Sequence, residues 1–406
     1  MRVFHLEPFL RRTESHFVEV ALAMNSHFRE TSNRFQLVGN KGLEDSVKRL
    51  FPNVVPGISQ TCFEDPENKG ISFAQDLFHL HQRFDFQEDD LIIVSTSYEN
   101  QILGTAIYQT EAPYPPSMAL HFHQLFPPSS DSDDIAKLSF RKLWQQRLKQ
   151  AFSRARFSKV SYWTTESSIL NHNYTRLSQQ RVGMLPVPFL SNPSRTRAIE
   201  SDRVGTKYRV GYLGDGRQEK GLLTWLRVIR AFEKTPSYYE FVVQINNPRG
   251  FNNHQRSELD ELLLHLRNNP NLHFINGQLS PKEFHRLLQS LDLIAIPYNP
   301  LNYFRRVSGL AMHAAVYERP VLASSGTWAA EAVTRGHLAG KIFDYNTRNE
   351  ELTINNAVAA VRTALAQRSE LKRTAMDAAA YFRTRNTPAE YLKRIDQFYS
   401  QQRRLI

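Results

Sequence analysis

The sequence holds one cysteine, Cys62, among 406 residues. No intramolecular disulfide can form, which fits a reducing compartment, and at this length large apolar cores form without such staples. Long apolar runs are also missing. LDLIAIPY is among the longest, far short of a bilayer span, and the N-terminal MRVFHLEPFL meets Arg11 and Arg12 before an export-signal core develops. A cytoplasmic protein is expected. There is no C-x-x-C pair and no H-E-x-x-H, so a zinc site is not indicated. Without G-x-S-x-G a hydrolase elbow has no support, and GDGRQEKG lacks the Gly-Lys-Ser/Thr of a phosphate-binding P-loop. The D-x-D triplet Asp131-Ser132-Asp133 lies in a Pro/Ser/Asp stretch with no apolar strand before it. Carboxylates hold a metal well when strand ends fix them. This triplet reads as a solvated loop, and no metal is expected.

What is present is an ordinary soluble composition, 41% hydrophobic and 22% charged, on a chain long enough for two or three domains. The formal net charge of +11 favours anionic partners: sugar nucleotides, anionic lipid or nucleic acid. The basic residues are scattered, which equally describes a solvated surface. Nucleic acid is the weakest of these partners, because no platform of interleaved aromatic and basic residues is evident.

Short apolar runs alternate with helical periodicity, the pattern of parallel sheets covered by helices. Strands are expected at Val3–Leu6, Phe35–Val38, Leu91–Ser95, Met118–His121, Val160–Thr164 and Met184–Val187. The stretch LSNPSRTRAIESDRVGT has no apolar periodicity and reads as a linker. The alternation then restarts, with strands at Tyr208–Leu213, Phe241–Ile245, His273–Ile275, Leu293–Pro297 and Pro320–Ala323. The expected organisation is an α/β fold: a doubly wound, Rossmann-like domain over residues 1–190, a linker over 191–206, a second such domain over 207–385, and a C-terminal helix over 386–406. Ligands of open parallel sheets bind beyond the carboxyl ends of the strands, so a cleft between the halves is where the chemistry belongs.

Two segments stand out. In RVGYLGDGRQEKGL a strand runs through a glycine-rich turn into a helix. Gly214 and Gly216 permit close backbone approach, the helix N-terminus favours a phosphate, and Arg217 and Lys220 add two cations at the same mouth. In the second, a buried strand ends in Pro297 and Tyr298, and a loop with Tyr303, Arg305 and Arg306 leads to Ser308 and Gly309, where a helix starts with Ser308 as its cap. A plain turn with surface cations would explain either segment alone; two phosphate-type helix starts in one half make that reading weaker.

Together, GDGRQEKG, IPY, FRRVSGLAMHAA and YERPVLA resemble the donor-binding half of family-4 retaining glycosyltransferases, over roughly residues 208–330. The resemblance implies the GT-B fold, two Rossmann-like domains facing a central cleft, and transfer of a sugar with retention from a UDP- or GDP-type nucleotide sugar, without metal and with no further cofactor. The donor residues it implies are Gly214, Gly216, Arg217, Lys220, Tyr298, Arg305, Ser308, Gly309, Leu310 and His313. It departs from the family at two places. Where the family carries glutamates that meet the donor sugar and the ribose, this chain has Arg305 and His313, and Glu318 stands where a glycine is usual.

In the N-terminal half, MALHFHQLFP is similar to the family strand that carries a histidine near the reacting sugar, which makes His123 the catalytic candidate and His121 the second choice. A histidine satisfied within a strand-end turn is an equal reading. His16 and Arg12, near the first helix start, are the acceptor-side candidates. Thr165 is expected to cap the helix that follows its strand. The acceptor is expected to be a glycan or lipid-linked glycan of cell-surface polysaccharide biosynthesis, met at the inner membrane face. The segment LSFRKLWQQRLKQAFSRARF reads either as a basic helix for anionic lipid or as a core-packed helix with a basic outer face. A second functional class stays open: a GT-B scaffold that binds a nucleotide or anionic glycan without transferring sugar, supported by the two replaced glutamates.

Overall fold

A computed structural model describes residues 1–13, 16–29, 34–61, 70–125, 134–189, 207–233, 238–304 and 306–403. The chain divides into two compact units, Met1–Leu190 with Arg385–Ile406, and Ser191–Thr384. The linker expected at 191–206 and the Asp131-Ser132-Asp133 triplet lie outside the described residues.

The first unit alternates β1 (Val3–Leu6), α1 (His16–His27), β2 (Phe35–Asn40), α2 (Asp45–Leu50), β3 (Val55–Ile58), α3 (Ile71–Phe84), β4 (Leu91–Val94), α4 (Glu99–Glu111), β5 (Ser117–Phe122), α5 (Asp134–Arg154), β6 (Val160–Thr165), α6 (Ser168–Ser178) and β7 (Val182–Leu185). The strands form one parallel sheet in the order β3-β2-β1-β4-β5-β6-β7. Every residue of β1 and β4 is buried, as expected of parallel strands covered on both faces, and this is why they read as unbroken apolar runs. The order reverses between β1 and β4, so their carboxyl ends diverge and open a crevice there.

The edge strand β3 was not expected. Its VPGI carries a proline and a glycine, which demote a strand in sequence but are tolerated at a sheet edge. The helix α5 resolves the two readings of its basic segment in favour of core packing: Trp144, Leu148, Ala151 and Phe152 lie in the core of the unit, with Phe140 against it. Among its described side chains only Leu143 is a large exposed apolar group. No helix among the described residues is long and apolar enough to cross a membrane.

The second unit runs β8 (Tyr208–Arg217), a short 3-10 turn (Gln218–Lys220), α7 (Leu222–Ala231), β9 (Tyr239–Arg249), α8 (Asn253–Leu266), β10 (Leu272–Asn276), α9 (Pro281–Gln289), β11 (Leu293–Ile296), α10 (Pro300–Tyr303), α11 (Gly309–Val316), β12 (Val321–Ser324), α12 (Trp328–Thr334), β13 (Gly340–Phe343), α13 (Glu350–Ala366) and α14 (Arg368–Arg385). Its parallel sheet has the order β10-β9-β8-β11-β12-β13, reversing between β8 and β11. Here β13, a short edge strand beginning Gly-Lys, went unpredicted.

The last helix, α15 (Pro388–Arg403), packs within the first unit. The Tyr399 hydroxyl donates to the Met118 carbonyl at 2.6 Å, and Phe398 lies 4.9 Å from the Trp163 ring. Arg385 and Arg394 both bond Glu166, at 2.5 and 2.9 Å, beyond the end of β6.

Candidate functional site

Charged side chains and two positive-φ glycines, Gly214 and Gly221, gather at the carboxyl ends of β8 and β11, where the strand order of the second unit reverses. The sequence placed a glycine-rich turn directly after Leu213. In the structure the strand continues to Arg217, because β9 runs on alongside and keeps pairing with it past a bulge between Asp215 and Arg217. The turn proper is Gln218–Lys220. The glycines therefore serve different ends. Gly214 adopts a φ of 116°, which side chains rarely tolerate, and a Cβ there would stand 3.4 Å from the Lys220 Nζ. Gly216 has no unusual φ; a Cβ on it would collide with Ile245 at 2.4 Å, so it is needed for packing rather than for turning. Gly221, which the sequence reading did not single out, caps α7 with a φ of 71°. The final glycine of RQEKG, just before an apolar helical stretch, was the available signal.

The two motif loops meet. Asn299 N donates to the Glu219 carbonyl at 3.0 Å. Arg217 pairs with Glu219 at 3.0 Å and donates to the Tyr303 hydroxyl at 3.1 Å. Arg306 reaches the same Glu219 carboxylate at 3.4 Å and lies 5.4 Å from the Tyr303 ring centre. Asp215 sits 3.5 Å from both Arg217 and Arg249. Lys220 differs from the arginines. It makes no hydrogen bond or ion pair among the described residues, and its ammonium lies 6.0 Å from the Tyr298 ring centre. Burial, and then the charge of Arg217, push its pKa down to about 8. Among the described residues, four cations face two carboxylates here, which leaves two positive charges in excess.

The second helix start has the expected cap. Ser308 Oγ accepts from Ala311 N at 3.3 Å at the head of α11, and its hydroxyl also bonds the Tyr298 phenol. Gly309 and Leu310 open that helix. His313 lies one turn further on, its ring 5.4 Å from Phe284 and 5.8 Å from His285, both on α9. Arg305 lies outside the described residues. Of the donor set implied by resemblance, the structure thus brings Gly214, Arg217, Lys220, Tyr298 and Ser308 to one strand-end locus. Glu219, Tyr303 and Arg306 join them. The alternating charges of DGRQEK were the sequence signal for Glu219.

The first unit holds the candidates Arg12, His16 and His123. Arg12 is exposed and paired with Glu44 at 2.8 Å. His16 opens α1, and its side chain lies outside the described residues. His123 follows β5 with both ring nitrogens engaged: Nδ1 is 2.7 Å from Thr165 Oγ1, and Nε2 is 2.6 Å from the Ser95 carbonyl oxygen. Burial lowers its pKa to about 4, so the imidazole is neutral near pH 7. Thr165 therefore does not cap α6. Ser167 does, accepting from Leu170 N at 3.2 Å, two residues beyond the strand end where the backbone turns. The sequence also gave no hint of Glu7. It is buried at the end of β1, accepts from Ser95 Oγ at 2.5 Å, Thr96 Oγ1 at 2.9 Å and Phe9 N at 2.9 Å, and burial raises its pKa to about 7 against those three donors.

No protein-family model matches the sequence, and no curated protein matches it. Solved structures do. The chain is similar to HepE of Anabaena, solved in complex with UDP, at 14% identity and a TM-score of 0.67, over 99% of this chain and 100% of that one. It is similar to the sucrose-phosphate synthase of Thermosynechococcus elongatus at 12% identity and a TM-score of 0.66, over 100% of both chains. A glycosyltransferase from Rickettsia africae matches at 10% identity and a TM-score of 0.67, over 99% of this chain and 98% of that one. At such identities the likeness is one of fold, and the fold is GT-B.

Proposed function

We propose that this protein is a glycosyltransferase whose donor, a UDP- or GDP-type nucleotide sugar, binds at the carboxyl ends of β8 and β11. The observation that carries the reading is Lys220: a half-buried ammonium with no ion pair among the described residues, set between a glycine of positive φ and the start of α7, a helix that no side chain caps. A desolvated, unpaired cation is costly unless an anion joins it, and unpaired helix N–H groups favour the same anion. The excess of two positive charges matches the two negative charges of a sugar-nucleotide diphosphate. Lys220 holds one phosphate as a point charge; Arg217 and Arg306 supply planar donors once the ligand competes with Glu219. Charge that builds on the departing diphosphate is met by these fixed groups, so the reading needs no metal.

By resemblance to family 4, transfer proceeds with retention to a glycan or lipid-linked glycan acceptor on the first-unit side, in cell-surface polysaccharide biosynthesis. Contact with an anionic membrane would rest on net charge alone, since the apolar face of α5 is spent in the core. A panel of sugar nucleotides read by thermal shift tests the donor, followed by transfer assays with and without EDTA. A melt that no sugar nucleotide moves would sink the reading. One observation favours the scaffold that binds without transferring: both nitrogens of His123 are occupied within the first unit. On that reading the melt shifts with nucleotide, but no sugar is transferred to any acceptor.

A further inference from the structure

A hydrogen-bonded chain crosses the carboxyl ends of β4, β5 and β6 and continues into α15. The Tyr391 hydroxyl is 3.2 Å from His121 Nδ1, and His121 Nε2 is 3.2 Å from Thr165 Oγ1. Thr165 Oγ1 is 2.7 Å from His123 Nδ1, and His123 Nε2 is 2.6 Å from the Ser95 carbonyl oxygen. Beyond it, Ser95 Oγ donates to Glu7 at 2.5 Å, and Glu7 also accepts from Phe9 N, which ties in the loop after β1. Tyr391 and His121 are buried, and Thr165 is buried between the two imidazoles.

One fixed end orders every proton in this chain. A carbonyl oxygen only accepts, so His123 Nε2 carries the hydrogen. A neutral imidazole then has a bare Nδ1, which takes the Thr165 hydroxyl hydrogen. With its hydrogen committed, Thr165 Oγ1 must accept, so His121 Nε2 also carries a hydrogen. His121 Nδ1 is left bare and takes the Tyr391 hydroxyl. Each donor meets one acceptor, with none left over. Burial keeps both imidazoles neutral, as this ordering requires. A proton added to His123 would reverse all three bonds upstream of it, so the links act as a unit.

We propose that Thr165 is the positioning residue that links the two imidazoles: with His123 fixed by the Ser95 carbonyl, its hydroxyl holds His121 in the tautomer with hydrogen on Nε2, leaving a bare Nδ1 that takes Tyr391 on the C-terminal helix. The inference deepens the glycosyltransferase reading, on which its effect on turnover rests; the tautomer itself needs no turnover to be seen. In that reading Thr165 ties the polar surface that the β4 and β5 ends present to an acceptor to the C-terminal helix. The chain joins the end of one imidazole to a helix 270 residues away from His121 in sequence.

The test is the tautomer of each imidazole by two-bond nitrogen–proton NMR on the full chain with labelled histidine at neutral pH, assigned with His121→Asn and His123→Asn. In the unaltered protein both residues should show a bare Nδ1 and a protonated Nε2. In Thr165→Val, His123 should keep that pattern, because its Nε2 still meets the Ser95 carbonyl, while His121 should lose it and give mixed tautomers. A His121 signal unchanged in folded Thr165→Val, or a hydrogen on Nδ1 in the unaltered protein, overturns the proposal. Should Thr165→Val fail to fold, His123→Phe removes the acceptor that commits the Thr165 hydrogen: His121 should again give mixed tautomers, and an unchanged His121 there is equally decisive against it. In turnover, Thr165→Val should lower kcat several-fold with donor KM unchanged. If the unaltered protein transfers no sugar, the glycosyltransferase reading fails while the tautomer result stands or falls separately.

Discussion

A Cβ placed on Gly221 would stand 1.9 Å from the carbonyl oxygen of Pro297, closer than unbonded heavy atoms can approach. The β8 loop and the end of β11 therefore touch backbone to backbone, and only glycine allows it at a φ of 71°. Gly221→Ala should lower stability by about 2–4 kcal/mol, from the clash added to the backbone strain. Gly277→Ala is the control: its φ is 102°, but open space surrounds it, so strain alone of about 1 kcal/mol applies. Denaturant unfolding compares the two, and equal losses would show that the loop contact is not tight.

Lys220→Ala should weaken nucleotide-diphosphate binding about ten- to a hundred-fold, the loss of one charge-assisted contact. The pH dependence follows from a pKa near 8 in the free protein. Below that pH the ammonium is charged and binds. As pH rises through it, the charge is lost and affinity falls. An anionic ligand favours the charged form, so binding near pH 8 should draw a proton from solution. Calorimetry in buffers of different ionisation enthalpy should detect this uptake, and Lys220→Arg should abolish it. An affinity that stays flat between pH 7 and 9.5 would remove Lys220 from the site.

Glu219 sits between Arg217 and Arg306, where a ligand phosphate would otherwise neutralise them. Glu219→Gln removes the carboxylate charge that both guanidinium groups face while keeping the shape of the side chain. Partly exposed pairs of this kind are worth about 0.2–1 kcal/mol, so diphosphate affinity should rise about two- to five-fold. Isothermal titration reads the change. A fall in affinity would mean that Glu219 orders the arginines rather than competing for them.

Glu166 holds α15 through Arg394, and the chain just before it through Arg385. Burial alone would raise its pKa, but the two arginines outweigh burial and hold it below the usual carboxylate range. A depressed folded pKa gives stability that is present above the unfolded value and lost as pH falls through the folded one. Hydrogen exchange across residues 388–403 should therefore quicken selectively below about pH 4. Glu166→Gln should exchange faster already at neutral pH. Exchange in this helix that follows the rest of the first unit at every pH would refute a local latch.

Much of this architecture was legible because parallel strands buried on both faces become uniformly apolar: β1, β4 and β11 were placed to within a residue. The strands β3 and β13 were not, since edge strands tolerate the proline, glycine and lysine that hide them. The Ser308 cap was legible from local chemistry alone. The Thr165 cap was misplaced by two residues, because the hydroxyl that could have capped a helix was drawn into a bond with an imidazole 42 residues distant.

By itself the sequence determined two doubly wound halves and the glycine-and-cation turn ahead of α7, because strand burial, helix starts and glycine conformations are set by neighbours along the chain. Only the tertiary structure decided which charges are free. Glu219 neutralises an arginine two residues away and another 87 residues away, while Lys220 has no ion pair among the described residues. Likewise His123 spends both nitrogens on Thr165 and Ser95. Charge pairing and hydrogen bonding are decided over a few ångströms in space, and adjacent strand ends bring together residues that no spacing in sequence connects.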